Sequence, residues 1–377
     1  MIIGLVLLLV CAVGVFLSPG HSFGLVKQVP TPTPYVPPQR GPEVALSTHR
    51  TQSQTAVETP TEFDPWGIAL DQHNGFVWVA EPGCDMAPTC VQTMTTVLGK
   101  FSLADGSRLE EYLEPPGFSS PLFMAVAPNG YVWFTQPNSD AIGAFDPLTT
   151  NFYKYSVKKG SAPYDLVFDK NGNLWFTEFK GNAIGFLNTK THAVVETPVP
   201  TANSNPYGIT IDPKGTAWFV ENADHISQIG SFTPTASGKI SIKEHHVDAA
   251  QPHLITSDKN GNLWFSEAFA GDVGKFNPAT GATTNYKVTP PCLNTSCHGV
   301  HVSGVAVDKN GNVWFSDSLA GVVGYVNPST GAVVKKTMKD SNAHPHDGLV
   351  IDANNTVWFT LEYGKMLEMW PGAKIPK

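Results

Sequence analysis

The sequence predicts an all-β fold, a seven-bladed β-propeller of four-stranded antiparallel blades whose ring is closed by a strand from the N-terminal side. Three observations lead there. One phrase recurs along the chain, most fully as DKNGNLWFTE (169–178), DKNGNLWFSE (258–267) and DKNGNVWFSD (308–317). With weaker copies at Trp78, Trp133, Trp218 and Trp358, seven of the nine tryptophans mark repeats at intervals of 55, 42, 43, 46, 50 and 44 residues, a propeller period. The runs LWFTE and VWFSD are apolar on both faces of the pleat, as expected of strands sandwiched between two neighbouring blades.

Composition agrees with a folded chain of many short strands. Apolar residues make up 41% and charged residues 15% of the 377, enough for a core and too few charges for disorder. The 34 Gly and 31 Pro follow no triplet period and read as turn punctuation. A net charge of −8 without any Lys or Arg cluster gives no footprint for nucleic acid or anionic lipid, so neither is an expected partner.

Residues 2–17 (IIGLVLLLVCAVGVFL) are sixteen uncharged, largely apolar positions followed by Ser18, Pro19 and Gly20, an export-signal pattern covering 1–22. The n-region lacks Lys and Arg, so two forms stay open: cleavage before Phe23, or a membrane anchor retained through 2–17. Both place the remainder in a secreted or extracytoplasmic setting. Cys11 has no small residue just before it and is not expected to be lipidated. Residues 23–52, with Pro30, Pro32, Pro34, Pro37, Pro38 and Pro42, read as a semi-extended linker, and the propeller is expected over 53–377.

Within one repeat, 207–212 reads as a first strand, Pro213 to Gly215 as its turn and 217–221 as the return. Asn-Gly pairs beginning at Asn171, Asn260 and Asn310 occupy the same place and are two-residue hairpin signals. A third strand begins at Ile-Gly or Val-Gly (Ile142, Ile184, Ile229, Val273, Val323), and a fourth follows turns such as Ala279, Thr280, Gly281. The last repeat stops at Trp370 without a fourth strand, whereas 54–60 (QTAVETP) resembles the fourth strand THAVVETP of another repeat. The N-terminal segment is therefore expected to complete the last blade and leave no free edge. Insertions at 82–97 and 290–302 explain the two longest intervals, and each carries a cysteine pair, Cys84 with Cys90 and Cys292 with Cys297. Local disulfides are the simplest pairing in an oxidising compartment; the spacing is not that of a zinc knuckle.

Because the first two strands of a blade are antiparallel neighbours, the start of strand one and the end of strand two share one face of the disc. From blades five to seven that face receives His253, His298, His301, His344 and His346, with Glu267, Asp317 and Glu362. The acid ending strand two recurs as Glu81, Glu178, Glu221, Glu267 and Asp317, and is expected to bond backbone N–H groups of the next blade. The Asp-Lys-Asn-Gly stretches lack the closing Glu of a calcium loop and read as turns. His253 occupies the position of Tyr164 and Tyr207, which favours a packed aromatic role. His298 follows Cys297 without haem-attachment spacing. His344-Pro345-His346-Asp347 occurs in no other repeat and adds a residue to the local pattern.

The WFTE repeats, the Ile-Gly pairs and the Pro-Tyr-Gly strand starts resemble the virginiamycin B lyase (streptogramin B lyase) family of seven-bladed propellers, over about 54–370. The resemblance implies a metal-dependent elimination that opens a macrocyclic ester. In active members Mg2+ is held by the Glu of a Glu-Pro-His motif opening the last blade and by a second Glu just after its Trp-Phe pair. The His of the motif is the base, and a His from a Pro-His-Ala start in the preceding blade helps bind substrate. Carried onto this chain, His346 matches the base and Glu362 the second metal ligand. His344 stands in place of the first Glu. The preceding blade opens Val302-Ser303-Gly304, with His298 or His301 of the insertion as candidate replacements for its histidine. His253, His298, His301 and Ser303 are the expected substrate-binding residues. A His-for-Glu exchange softens the site, so Zn2+ or Mn2+ joins Mg2+ as an expected cofactor. The second reading is a non-catalytic monomeric propeller that binds a small molecule, glycan or protein on this face.

Non-reducing peptide mapping is expected to recover Cys84 linked to Cys90 and Cys292 linked to Cys297; free thiols or crossed pairs would overturn the assignment.

Overall fold

Five of the seven inner hairpins are closed by the same side-chain bond. Asp169, at the turn of its repeat, accepts from the N–H groups of Asn171 and Asn173 through one oxygen and from the Trp175 indole N–H, at 3.1 Å, through the other. Asp212, Asp258, Asp308 and Asp352 hold Trp218, Trp264, Trp314 and Trp358 in the same way at 3.0 to 3.1 Å. The repeated phrase is therefore a folding unit. Its Asp satisfies the turn and the indole together, and the turn reading of Asp-Lys-Asn-Gly holds.

The computed structural model describes residues 56–83, 96–289, 299–340 and 343–376. The export segment, the linker, Cys84, Cys90, Cys292, Cys297 and His298 lie outside the described residues. Seven four-stranded antiparallel sheets follow one another: blade 1 (68–113), blade 2 (124–156), blade 3 (163–198), blade 4 (206–246), blade 5 (252–287), blade 6 (302–337) and blade 7 (345–370 with Val57–Pro60). Val57–Pro60 pairs antiparallel with Met366–Trp370, Val57 opposite Met369 and Pro60 opposite Met366, so the N-terminal strand closes the ring as expected.

Apolar clusters lie between blades. Trp133, Ile142 and Tyr155 of blade 2, for example, pack with Leu166, Leu174 and Phe176 of blade 3. At about 25 cal/mol per Å2, each buried Trp or Phe contributes several kcal/mol. The Ile-Gly pairs make room for these rings. A Cβ at Gly143, Gly185, Gly230 or Gly274 would fall 2.0 to 2.1 Å from the ring of Phe134, Phe176, Phe219 or Phe265 on the adjacent strand.

Five of the seven blade junctions are tied by a hydroxyl; blade 1 has Ala80 at the position. In blade 3 the first strand slips register between Pro163 and Leu166, a bulge that takes the Asp165 N–H out of the ladder. Thr177 Oγ1 accepts that N–H at 3.1 Å and donates at 2.5 Å to the Tyr207 carbonyl of blade 4. Thr135, Ser266, Ser316 and Thr360 make the same donation to Tyr164, Ser303, His346 and Trp66, the last of these joining blade 7 to the segment entering blade 1. Blade 4 has Val220 at this position, and there Asn222 Nδ2 donates to the Pro252 carbonyl at 3.0 Å instead.

The recurring acid behaves differently from the expectation. Glu81 accepts from the N–H groups of Glu62 and Phe63, Glu267 from Ala250 and Asp317 from His301, each on the segment leading into the acid's own blade. The residue before the acid carries the link to the next blade, because its side chain is the one that reaches the bulge. Burial, with Glu244 beside it, pushes the Glu221 carboxyl up to about 7.

A chain lacking 54–60 is expected to expose the Met366–Trp370 edge and to aggregate or melt well below the full domain; unchanged melting would rule out the closure role. For Glu221 the folded state favours the protonated acid, so its contribution is present below the unfolded value of 4.5 and lost as pH rises through about 7. Glu221→Gln is therefore expected to be neutral in thermal melts at pH 5 and stabilising at pH 8, by on the order of 2 kcal/mol. A variant less stable than wild type at pH 8 contradicts a carboxyl raised to about 7 by burial.

Candidate functional site

The start of strand one is opposite the end of strand two in blades 3 to 7, as in Pro163 with Glu178 and Pro345 with Leu361. The expected face is therefore real, and blade 7 departs from its neighbours on it. Between the pairs Pro163–Glu178 and Leu166–Phe176, blade 3 fits two residues, Tyr164 and Asp165. Between Pro345–Leu361 and Leu349–Phe359, blade 7 fits three, His346, Asp347 and Gly348. The additional residue brings buried Asp347 to the central channel, a cavity of about 320 Å3 lined by inner-strand residues such as Phe123, Asp165, Leu254 and Val305. Gly348 is required by space: a Cβ there would lie 2.0 Å from the Trp66 carbonyl of the next blade.

Asp347 organises the inner side of the site. Its Oδ1 lies 3.0 Å from His253 Nε2 and 3.9 Å from His346 Nε2, and its Oδ2 accepts from the Tyr164 hydroxyl at 3.2 Å. Tyr207 in turn bonds the Tyr164 hydroxyl and packs on His253, ring centroids 4.3 Å apart. His253 is thus both the packed aromatic equivalent that its position predicts and a polar partner of Asp347. Burial opposes ionisation of Asp347, but His346 and His253 around it hold its carboxyl well below the usual range.

The outer side is a second constellation sharing His346. His344, with left-handed backbone (φ 55°), places Nδ1 2.7 Å from Glu362 Oε2 and stacks on exposed Tyr363 at 4.4 Å, while the Glu362 N–H donates to the His344 carbonyl. His346 Nδ1 is 3.7 Å from the same Glu362 oxygen, buried, and has no hydrogen-bond partner among the described residues. Trp66 stands edge-on to the His346 ring at 4.6 Å. Burial pushes His346 down to about 4, so its imidazole is neutral near pH 7.

His301, from the insertion, stands over Ser303. Its Nδ1 lies 3.0 Å from Ser318 Oγ and 3.2 Å from Ser303 Oγ, and its ring centroid is 5.1 Å from that of His346. Burial, then His253 and His346, push its imidazole down to about 2. Among the expected site residues, His253, His301, His344, His346 and Glu362 come together, Ser303 supports His301, and Glu267 turns to Ala250. Asp347, Tyr164 and Tyr207 were not singled out as site residues. For Asp347 the sequence held a signal in the additional residue after Pro345-His346; the tyrosines repeat a position that reads as core.

The virginiamycin B lyase family model matches residues 67–304, more than half of the chain. The chain belongs to the virginiamycin B lyase family. The crystal structure of virginiamycin B lyase from Staphylococcus aureus superposes with a TM-score of 0.69 at 25% identity, covering 84% of this chain and 98% of that one. A catalytically inactive variant of that lyase with quinupristin gives the same TM-score, identity and coverage. Hydrazine synthase from Kuenenia stuttgartiensis, at TM-score 0.62 and 12% identity over 83% of this chain and 97% of that one, shares the fold alone. No curated protein matches the chain. In this virginiamycin B lyase family member the matched residues end at Gly304, ahead of His344, His346 and Glu362.

The outer constellation has the donors a divalent cation needs. One ligand atom from each of His344, His346 and Glu362 lies within 4.8 Å of the others. Two imidazoles and one carboxylate suit Zn2+ or Mn2+ at least as well as Mg2+.

Proposed function

We propose that the chain is an exported carbon–oxygen lyase that opens a cyclic ester by elimination on this face, with His346 as the base and His344 and Glu362 as holders of a divalent cation. The observation that supports it most is the buried His346 Nδ1, without a hydrogen-bond partner among the described residues and 3.7 Å from the Glu362 carboxylate. With the imidazole proton on Nε2, toward Asp347, the Nδ1 lone pair is the one available to a substrate. It takes a proton from a carbon that lies beside a carbonyl and next to the carbon bearing the ester's alkyl oxygen. The adjacent carbon–oxygen bond then breaks, a carbon–carbon double bond forms, and the ring oxygen leaves as a carboxylate. His344 and Glu362 would hold a divalent cation, which would supply electrostatic stabilisation of negative charge on the carbonyl oxygen. Trp66 packs edge-on to the His346 ring and limits its rotation, and the Ser316 hydroxyl holds the His346 carbonyl. The exposed aromatics Phe269 and Tyr363, beside His301 and His344, offer apolar walls to a ligand entering from solvent. Residues 2–17 direct export, with secretion or membrane anchoring as the outcome, and the propeller acts as a monomer.

His344 in place of a glutamate, and Ser303 in place of a histidine, favour a second reading as a non-catalytic module that binds its ligand on the same face.

With quinupristin, other cyclic depsipeptides and lactones as substrates, and Mg2+, Mn2+ or Zn2+ supplied, wild-type protein is expected to open at least one ring. His346→Ala and Glu362→Gln are each expected to lower kcat by about 10²-fold or more, without loss of folding, since neither residue belongs to the repeated core. If every substrate stays intact with all three metals, the binding-module reading replaces the enzyme.

A further inference from the structure

We infer that His253, His301 and His346 form a metal site of their own, a three-imidazole face backed by the Asp347 carboxylate, which takes a borderline first-row divalent cation, Zn2+ before others, in preference to Mg2+. This goes beyond the proposed lyase reaction and does not rest on it.

One ring nitrogen of each histidine lies within 4.8 Å of the other two, and the ring centroids are 4.9 Å (His253 to His301), 5.1 Å (His301 to His346) and 6.3 Å (His253 to His346) apart. The three come from blade 5, the segment entering blade 6 and blade 7, so the grouping is a product of the ring and not of a local spacing. Packing explains His253, which takes the place of Tyr164 and Tyr207. It does not explain His301, a half-buried ring that the insertion adds over Ser303.

The nitrogens facing away from the common point have orienting partners. His301 Nδ1 is held by Ser318 and Ser303, His253 Nδ1 faces the Asn222 amide at 3.4 Å, and His346 Nδ1 faces Glu362. Metal-bound imidazoles are fixed through their second nitrogen in this manner. The Nε2 atoms of His253 and His346 both adjoin Asp347 Oδ1, which brings a negative charge beside two of the three imidazoles. Imidazole nitrogen suits Zn2+, whereas Mg2+ demands oxygen ligands and gives up its water reluctantly. A cation on His346 Nε2 leaves the remaining imidazole proton on Nδ1 and takes the base out of use. The two roles of His346 are therefore alternatives.

The test uses the full chain, stripped with a chelator and then incubated with Zn2+ in a large excess of Mg2+, with bound zinc measured after gel filtration. Wild type and His344→Ala are expected to retain one equivalent of zinc. His301→Ala and His253→Gln are expected to bind it more than about 10²-fold more weakly, beyond the usual cost of losing an outer partner. Should His253→Gln fail to fold, His301→Ala decides alone. Zinc retained at wild-type level by His301→Ala, or no zinc on wild type, overturns the site. Zinc lost by His344→Ala but kept by His301→Ala also overturns it, and places the metal at His344 and Glu362, which leaves the lyase reading standing.

Discussion

The hydroxyl that follows the Trp-Phe pair is the constraint on which both the ring and its site depend. A bulge in the first strand of blades 3 to 7 takes an N–H out of the sheet ladder beside the neighbouring blade. A buried N–H or C=O without a partner costs on the order of 1–3 kcal/mol, and Thr177 satisfies one of each, on two different blades. Apolar packing between blades is stronger in total but has no direction. The hydroxyl supplies register, because only one carbonyl of the next blade lies within its reach.

That carbonyl belongs to the first inward residue of the next blade: Tyr164, Tyr207, Ser303, His346. The backbone of the site is thus placed by the repeat, and its chemistry is left to side chains that the repeat does not fix. Tyrosine in blades 3 and 4, serine in blade 6 and histidine in blade 7 change the chemistry around the funnel at no cost to the clamp. Blade 7 goes further by adding a residue, and Ser316 still reaches the His346 carbonyl at 2.6 Å, so the bulge absorbs Asp347 without loosening the junction.

Blade number, strand order and ring closure were legible because each rests on a local pattern written several times: the Asp–Trp hairpin, the Ile-Gly opening for a Phe ring, and a strand motif displaced to the other end of the chain. The shared face followed from antiparallel pairing alone, which brought His344, His346 and Glu362 to one end of blade 7. Less legible was the direction of single side chains. The recurring acid and the hydroxyl before it are adjacent in sequence and point to opposite faces of the strand, so periodicity could not say which of them spans blades. Asp347 meets Tyr164 and His253 across 183 and 94 residues, contacts that no repeat unit contains.

The arrangement around His346 also accounts for its departure from the family motif. Where the resemblance implies a glutamate at position 344, on the outer side, this chain has a histidine, while Asp347, within the longer bulge of blade 7, lies on the inner side. On the outer side this leaves a donor set richer in nitrogen, which weakens the hold on a hard cation such as Mg2+. On the inner side a charged carboxylate now sits among three imidazoles and two phenols, where burial makes its field strong and leaves it dependent on those partners. The main electrostatic centre of the face therefore lies toward the channel, where His253 of blade 5 and His301, at the entry to blade 6, join His346.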